Sequence, residues 1–237
     1  MNSNPINQNV LRFGYYSSLL LAIITFITFG LGIMAVPPVG PYCPGDCFEY
    51  PYLDSLSNYP KDYYWMFFSV FQLIIYVVFM VSVYFIAPAE KKINSFTGFA
   101  FALIATAVLM ADYFVQFAVV PISLMKGEED GIALLTQYNE NGLFIALEEL
   151  GYIMMALSLL FIAPVFSKHP ALDRTLRWIL YIPMPLIILF FIFYTVRYGI
   201  ERSYRFEVAA IGIDWLALII IGILAAIFFK RKLKKTI

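Results

Sequence analysis

The stretch "FIALEELGY", residues 144–152, sets Glu148 and Glu149 side by side inside an otherwise apolar run. Two further apolar runs carry acids of their own, Asp112 in "ADYFVQF" (111–117) and Asp214 in "IGIDWLAL" (211–218). Carboxyl groups in such surroundings can bind a cation, pass a proton, or hold helices together through hydrogen bonds to Tyr, Gln or Ser. On a helix Asp112 and Gln116 are four residues apart and share a face, as do Glu148 and Tyr152. Glu149 is turned about 100° from Glu148, so one glutamate faces the interior and the other reaches a neighbouring helix or a polar partner. Gln72 and Arg197 are further polar residues that fall within or at the end of apolar runs.

These residues need long helices to position them. Of the 237 residues 62% are hydrophobic and 14% charged, and the mean hydropathy is +0.80. A soluble domain carries nearer 25% charged residues. The apolar excess lies in six runs, at about 13–36, 64–88, 95–125, 142–167, 175–198 and 207–229. Each has the ~20 residues that cross ~30 Å of hydrocarbon as a helix. The composition therefore predicts an all-α polytopic membrane protein, a single bundle of six transmembrane helices. The run at 95–125 is over-long and should tilt or project. "IPMP" (182–185) should kink or unwind the fifth helix near its start.

Basic residues orient the bundle. With the N-terminus inside, the inner segments hold Arg12, Lys91, Lys92, Lys168, Arg174, Arg177 and the tail "KRKLKK" (230–235), eleven of the sixteen. The outer segments hold five, Lys61, Lys126, Arg197, Arg202 and Arg205, together with ten acids that include Asp62, Glu140 and Glu207. The positive-inside bias predicts both termini on the cytoplasmic face of the cell membrane. The first run leads into "VPPVG" (36–40) with no small-residue cleavage site, so it is expected to remain as an anchor.

Two outer loops follow from this topology, 37–63 and 126–141. The first holds the only cysteines, Cys43 and Cys47 in "CPGDC", and a local disulfide is expected on the oxidising side. In the second, "IALLTQY" (132–138) reads as a turn or two of interfacial helix.

Depth groups the polar residues. Counted at 1.5 Å per residue from the outer helix ends, Glu148, Glu149 and Asp214 lie roughly 10 Å deep, Gln72 about 13 Å, and Gln116 and Asp112 roughly 14–20 Å. They come from separate spans and favour the outer half, while the inner halves are almost free of ionisable groups. Since a charge facing lipid costs a few kcal/mol, these residues are expected to line one outward-facing acidic cavity. The expected lining is Asp112, Gln116, Glu148, Glu149, Tyr152, Asp214, Gln72 and Arg197. Arg197 could instead pair with Asp214 or Glu149 as a structural salt bridge. Small residues at 107 and 111, and at 222 and 226, read as helix-packing contacts.

Several chemistries lack their residues. The only histidine, His169, falls in an inner loop, so a histidine-rich zinc site or a Ser–His dyad in the outer half has no basis. H-E-x-x-H, G-x-S-x-G and P-loop patterns are absent, as is a mid-span lysine. The basic tail suits anionic lipid rather than nucleic acid, and no cofactor or metal is expected. The favoured function is binding or transport of a small cationic or polar ligand, or of protons. One alternative is an intramembrane enzyme moving a proton on an isoprenoid- or sterol-like lipid. The other is an accessory membrane protein whose partners are only lipid and neighbouring proteins.

Overall fold

The computed structural model describes residues 7–35, 39–43 and 45–235. Val36, Pro37 and Pro38 of the "VPPVG" exit, and Pro44 between the cysteines, lie outside the described residues. Among the described residues the chain is all-helical, with nine α-helices: α1 (Gln8–Met34), α2 (Tyr64–Ile86), α3 (Lys92–Ala118), α4 (Val120–Lys126), α5 (Ile132–Leu135), α6 (Leu143–Ile162), α7 (Ala171–Tyr181), α8 (Pro183–Tyr198) and α9 (Ser203–Lys235). Five stretches are long and apolar enough to cross a membrane: Gln8–Met34, Lys61–Ile86, Ala89–Lys126, Leu143–Val165 and Ala171–Lys235. This is the build of an α-helical membrane protein.

The last stretch has 65 residues, which would run roughly 100 Å as one straight helix. It breaks twice. α7 ends at Tyr181 and α8 starts at Pro183, which has no N–H to continue the ladder. The chain then turns at Gly199, whose φ of +61° suits glycine, and passes through a short 3-10 segment, Gly199–Arg202, so that α8 packs back on α9. The over-long third run is likewise two helices. α3 stops at Ala118, and α4 begins next to Pro121, which cannot donate to the Phe117 carbonyl.

Helices α1, α2, α3, α6 and α9 form a closed ring in which each packs on the next and α9 returns to α1. α8 lies outside this ring against α6 and α9, and only Pro183 and Ile187 of it are buried. α1 and α9 are antiparallel, for Gly14 meets Phe229 at one end and Gly32 meets Trp215 towards the other. α6 and α9 run the same way, since Phe166 packs edge-on against Phe228 at the end where the α9 tail lies.

Small residues let the ring close tightly. At Gly222 a Cβ would lie 2.8 Å from the Ser18 carbonyl oxygen and 2.9 Å from the Ala22 Cβ. At Gly98 it would lie 2.8 Å from the Ser158 carbonyl oxygen, and at Gly151 it would strike Leu109. Ala226 is buried as well, but Ala107 and Ala111 are exposed and make no helix-packing seam. The contact face of α3 is instead the stripe Ser95, Gly98, Ala102, Ala105 and Leu109. Hydroxyls cross other interfaces: Ser17 meets Ser82 at 3.3 Å between α1 and α2, and the Tyr76 and Ser158 hydroxyls bond between α2 and α6.

The described parts of the first long loop, 39–43 and 45–63, fold over the end of the ring in short 3-10 turns, with Cys43 joined to Cys47 at a Cα separation of 6.0 Å. Replacing Gly222 by Val should force the α1–α9 backbones apart and cost about 1–3 kcal/mol. Thermal unfolding in detergent should show a lower midpoint for Gly222→Val, while Ala107→Leu on the exposed face should stay within about 0.5 kcal/mol of the parent.

Candidate functional site

The two glutamates of "FIALEELGY" diverge as the helix geometry requires. Glu148 shares the inward face of α6 with Tyr152 and Met155 and is 1% exposed. Its Oε1 accepts a hydrogen bond from the Tyr113 hydroxyl at 2.7 Å, and that hydroxyl lies 2.8 Å from the Tyr152 hydroxyl. Glu149 points away from the ring interior. Both of its oxygens lie 3.1 Å from Nη1 of Arg202, whose guanidinium stacks over Phe191 at 4.3 Å. The ion pair expected at Arg197 is therefore made by Arg202. Arg197 is exposed beside the Tyr198 ring.

Glu207 is a site residue that the sequence reading placed in the outer loop. α9 starts at Ser203, so Glu207 falls in its second turn, 4% exposed. Its side chain lies beside Glu148 and within Coulomb range of Asp112. The spacing carried the signal: Glu207, Ile211, Asp214 and Leu218 fall at i, i+4, i+7 and i+11, one helical stripe.

Glu148 and Glu207 line a cavity of about 300 Å³ at the end of the ring that carries the two long loops. Its walls are apolar and come from four ring helices: Phe29 and Ile33 of α1, Trp65 of α2, Phe144 and Ile145 of α6, and Val208, Ile211 and Trp215 of α9. Tyr42, Gln137 and Tyr204 supply the remaining polar edge. Trp65 and Trp215 pack edge-to-face at 5.9 Å and meet Tyr113 and Tyr152 behind the carboxyls. The Glu148 and Glu207 carboxyls bond each other, and Oε2 of each is buried and takes no hydrogen bond from any other residue.

Among the eight residues expected to line a cavity, only Glu148 does so. Asp112 is buried within Coulomb range of Glu148. Asp214 is fully buried two turns further along α9, within range of Tyr76 and Tyr152, and neither of its oxygens has a hydrogen-bond partner. Gln72 is buried with both amide atoms unpartnered. Tyr152 stands behind Glu148 rather than against the cavity. Among the described residues no group of three or more His, Cys, Asp or Glu is placed to hold a metal ion.

Gln116 has a different task. Its Nε2 donates to the Leu135 carbonyl at 2.7 Å, and its Oε1 accepts from the Gln137 backbone N–H at 2.8 Å. This amide clamps the loop 127–142 onto α3, so that after the single turn of α5 the residues Thr136, Gln137 and Tyr138 are buried rather than interfacial. Tyr138 donates to Asp62 at 3.0 Å and packs on Phe48. Burial, with Tyr63 and Asp62 beside it, pushes the Tyr138 phenol above its ordinary pKa. Tyr42 packs edge-on against Tyr204 at 5.5 Å, and burial raises its phenol too. Both long loops thus dock on the cavity end of the ring.

Gln116→Leu should strand the Gln137 N–H and the Leu135 carbonyl. Hydrogen exchange over residues 135–138 should quicken by roughly one to two orders of magnitude, while α6 keeps its protection. Comparison of the chain with protein-family models, with curated proteins and with solved structures finds no match.

Proposed function

We propose that the protein receives or transports a small organic cation in this cavity. The observation that supports the reading is the pairing of two buried carboxyls, Glu148 and Glu207, in a cavity whose walls include Trp65 and Trp215. An ammonium group gains charge-assisted hydrogen bonds from the carboxyls and cation–π attraction from the indoles. An inorganic cation such as calcium would need six or more oxygen ligands, and these walls offer too few. A second reading draws on the same pair. Two adjacent carboxyls facing an apolar cavity, one of them bonded to Tyr113, could give and take back a proton on an isoprenoid- or sterol-like lipid.

Quenching of tryptophan fluorescence by benzylamine, in nanodiscs, tests the first reading. Benzylamine should bind and neutral benzyl alcohol should not, and Glu148→Gln should weaken the amine by about tenfold or more. Equal binding of amine and alcohol, or no effect of Glu148→Gln, would reject it.

We further propose that the chain crosses the cell membrane six times with both ends in the cytoplasm. The turn at Gly199 and the packing of α8 on α9 support two crossings within Ala171–Lys235. The antiparallel α1 and α9 bring the chain ends to one face of the ring. Eleven of the sixteen basic residues fall at that face on this reading. It places the cavity towards the outside. Single cysteines introduced as Ser3→Cys and Thr236→Cys should resist a membrane-impermeant maleimide on intact cells and react after lysis. Labelling of either one from outside would overturn the orientation.

A further inference from the structure

The cavity reaches the flank of the bundle. Ile33 of α1 and Val208 of α9 both line it, yet they are 61% and 42% exposed. Gly212, one helical turn beyond Val208, also lines it and is partly exposed, and a Cβ there would meet no atom within 4 Å. The neighbouring surface of α1 is apolar, with Phe26 and Met34 well exposed. The α1–α9 seam therefore carries a notch, apolar on its outer side and acidic at its inner end, in a part of the bundle whose composition suits hydrocarbon.

We propose that the ligand is a single-chain amphiphile with an ammonium head and an alkyl tail, and that it enters sideways from the outer leaflet between α1 and α9. The head meets Glu148 and Glu207, and the tail lies over Gly212, Ile33 and Val208 with its end still in lipid. This rests on the organic-cation reading and adds the substrate class and the route. The tail of such a ligand never leaves an apolar medium. Its head exchanges the headgroup region for charge-assisted bonds to the two carboxyls that line the cavity. The notch owes its width to a residue without a side chain. A Cβ at 212 would enter it without meeting a neighbour, and in a helix leucine is favoured over glycine.

The test compares Gly212→Leu and Gly212→Ala with the parent protein in phosphatidylcholine nanodiscs. Dodecylamine should displace benzylamine from the parent, and Gly212→Leu should weaken dodecylamine by about tenfold, several times more than it weakens benzylamine. Gly212→Ala should fall between the two. A dodecylamine carrying a terminal diazirine should crosslink to residues 29–33 and 208–212. Excess dodecylamine should compete for these crosslinks and dodecanol should not. An unchanged dodecylamine affinity in Gly212→Leu, equal loss of both amines, or crosslinks spread evenly over α2, α3 and α8 would overturn the route. Should benzylamine fail to bind while dodecylamine crosslinks to the seam, the lateral route stands and the small-cation reading falls. If neither amine binds, both fall.

Discussion

Carboxyl groups moved from water into a helical bundle must be given partners or space, because an ion left alone there costs several kcal/mol. Much of this structure answers that requirement. Glu149 is satisfied by Arg202, whose own charge is covered by Phe191. Asp62 accepts from Tyr138 and Asn58. Glu148 has one oxygen taken by Tyr113, and its other oxygen, like one of Glu207, belongs to a residue that lines the cavity. The acids fall into three groups: Glu149 and Asp62 hold helices and loops together, Asp112 and Asp214 are buried away from the cavity, and Glu148 and Glu207 line it. This last pair gathers where α6 and α9 run side by side beneath the docked loops.

Packing makes that gathering inevitable. Gly222 against Ser18 and Ala22, and Gly98 and Gly151 against α6 and α3, draw the helix pairs to backbone contact. Such seams fix the rotation of each helix, and rotation decides which of two adjacent glutamates faces inward. Trp65, Trp215, Tyr113 and Tyr152 then fill the ring below the cavity. The cavity is thus the part of the ring that the aromatics do not fill, with Glu148 and Glu207 at its polar end and Gly212 leaving its flank thin.

The helical architecture was legible from composition, and so was the divergence of Glu148 from Glu149, which follows from 100° per residue. What escaped depends on where helices begin and on partners distant in sequence. Four residues of extra helix before Glu207 turned a supposed loop acid into the partner of Glu148. Gln116 sits on the predicted face of α3 beside Asp112, but its amide matches the exposed backbone of a loop nineteen residues away, a pairing no periodicity encodes. Ala107 and Ala111 have the spacing of a packing motif, yet the seam of α3 runs through Gly98, Ala102 and Ala105, because α6 meets that face. Arg197 and Arg202 both stand near the α8–α9 turn, and only the 3-10 segment after Gly199 decides that Arg202 turns towards α6.

The central claim is that Glu148 and Glu207 form the polar end of a binding cavity rather than a further pair of structural acids. The most direct measurement is the anomalous scattering of bromine from 4-bromobenzylamine in crystals of the protein grown from lipid. The account predicts a bromine peak among Trp65, Trp215 and Phe29, with the amine reaching Glu148 and Glu207, and no such peak in crystals of Glu148→Gln. A cavity without bromine at saturating ligand, or a peak that persists unchanged in Glu148→Gln, would contradict it.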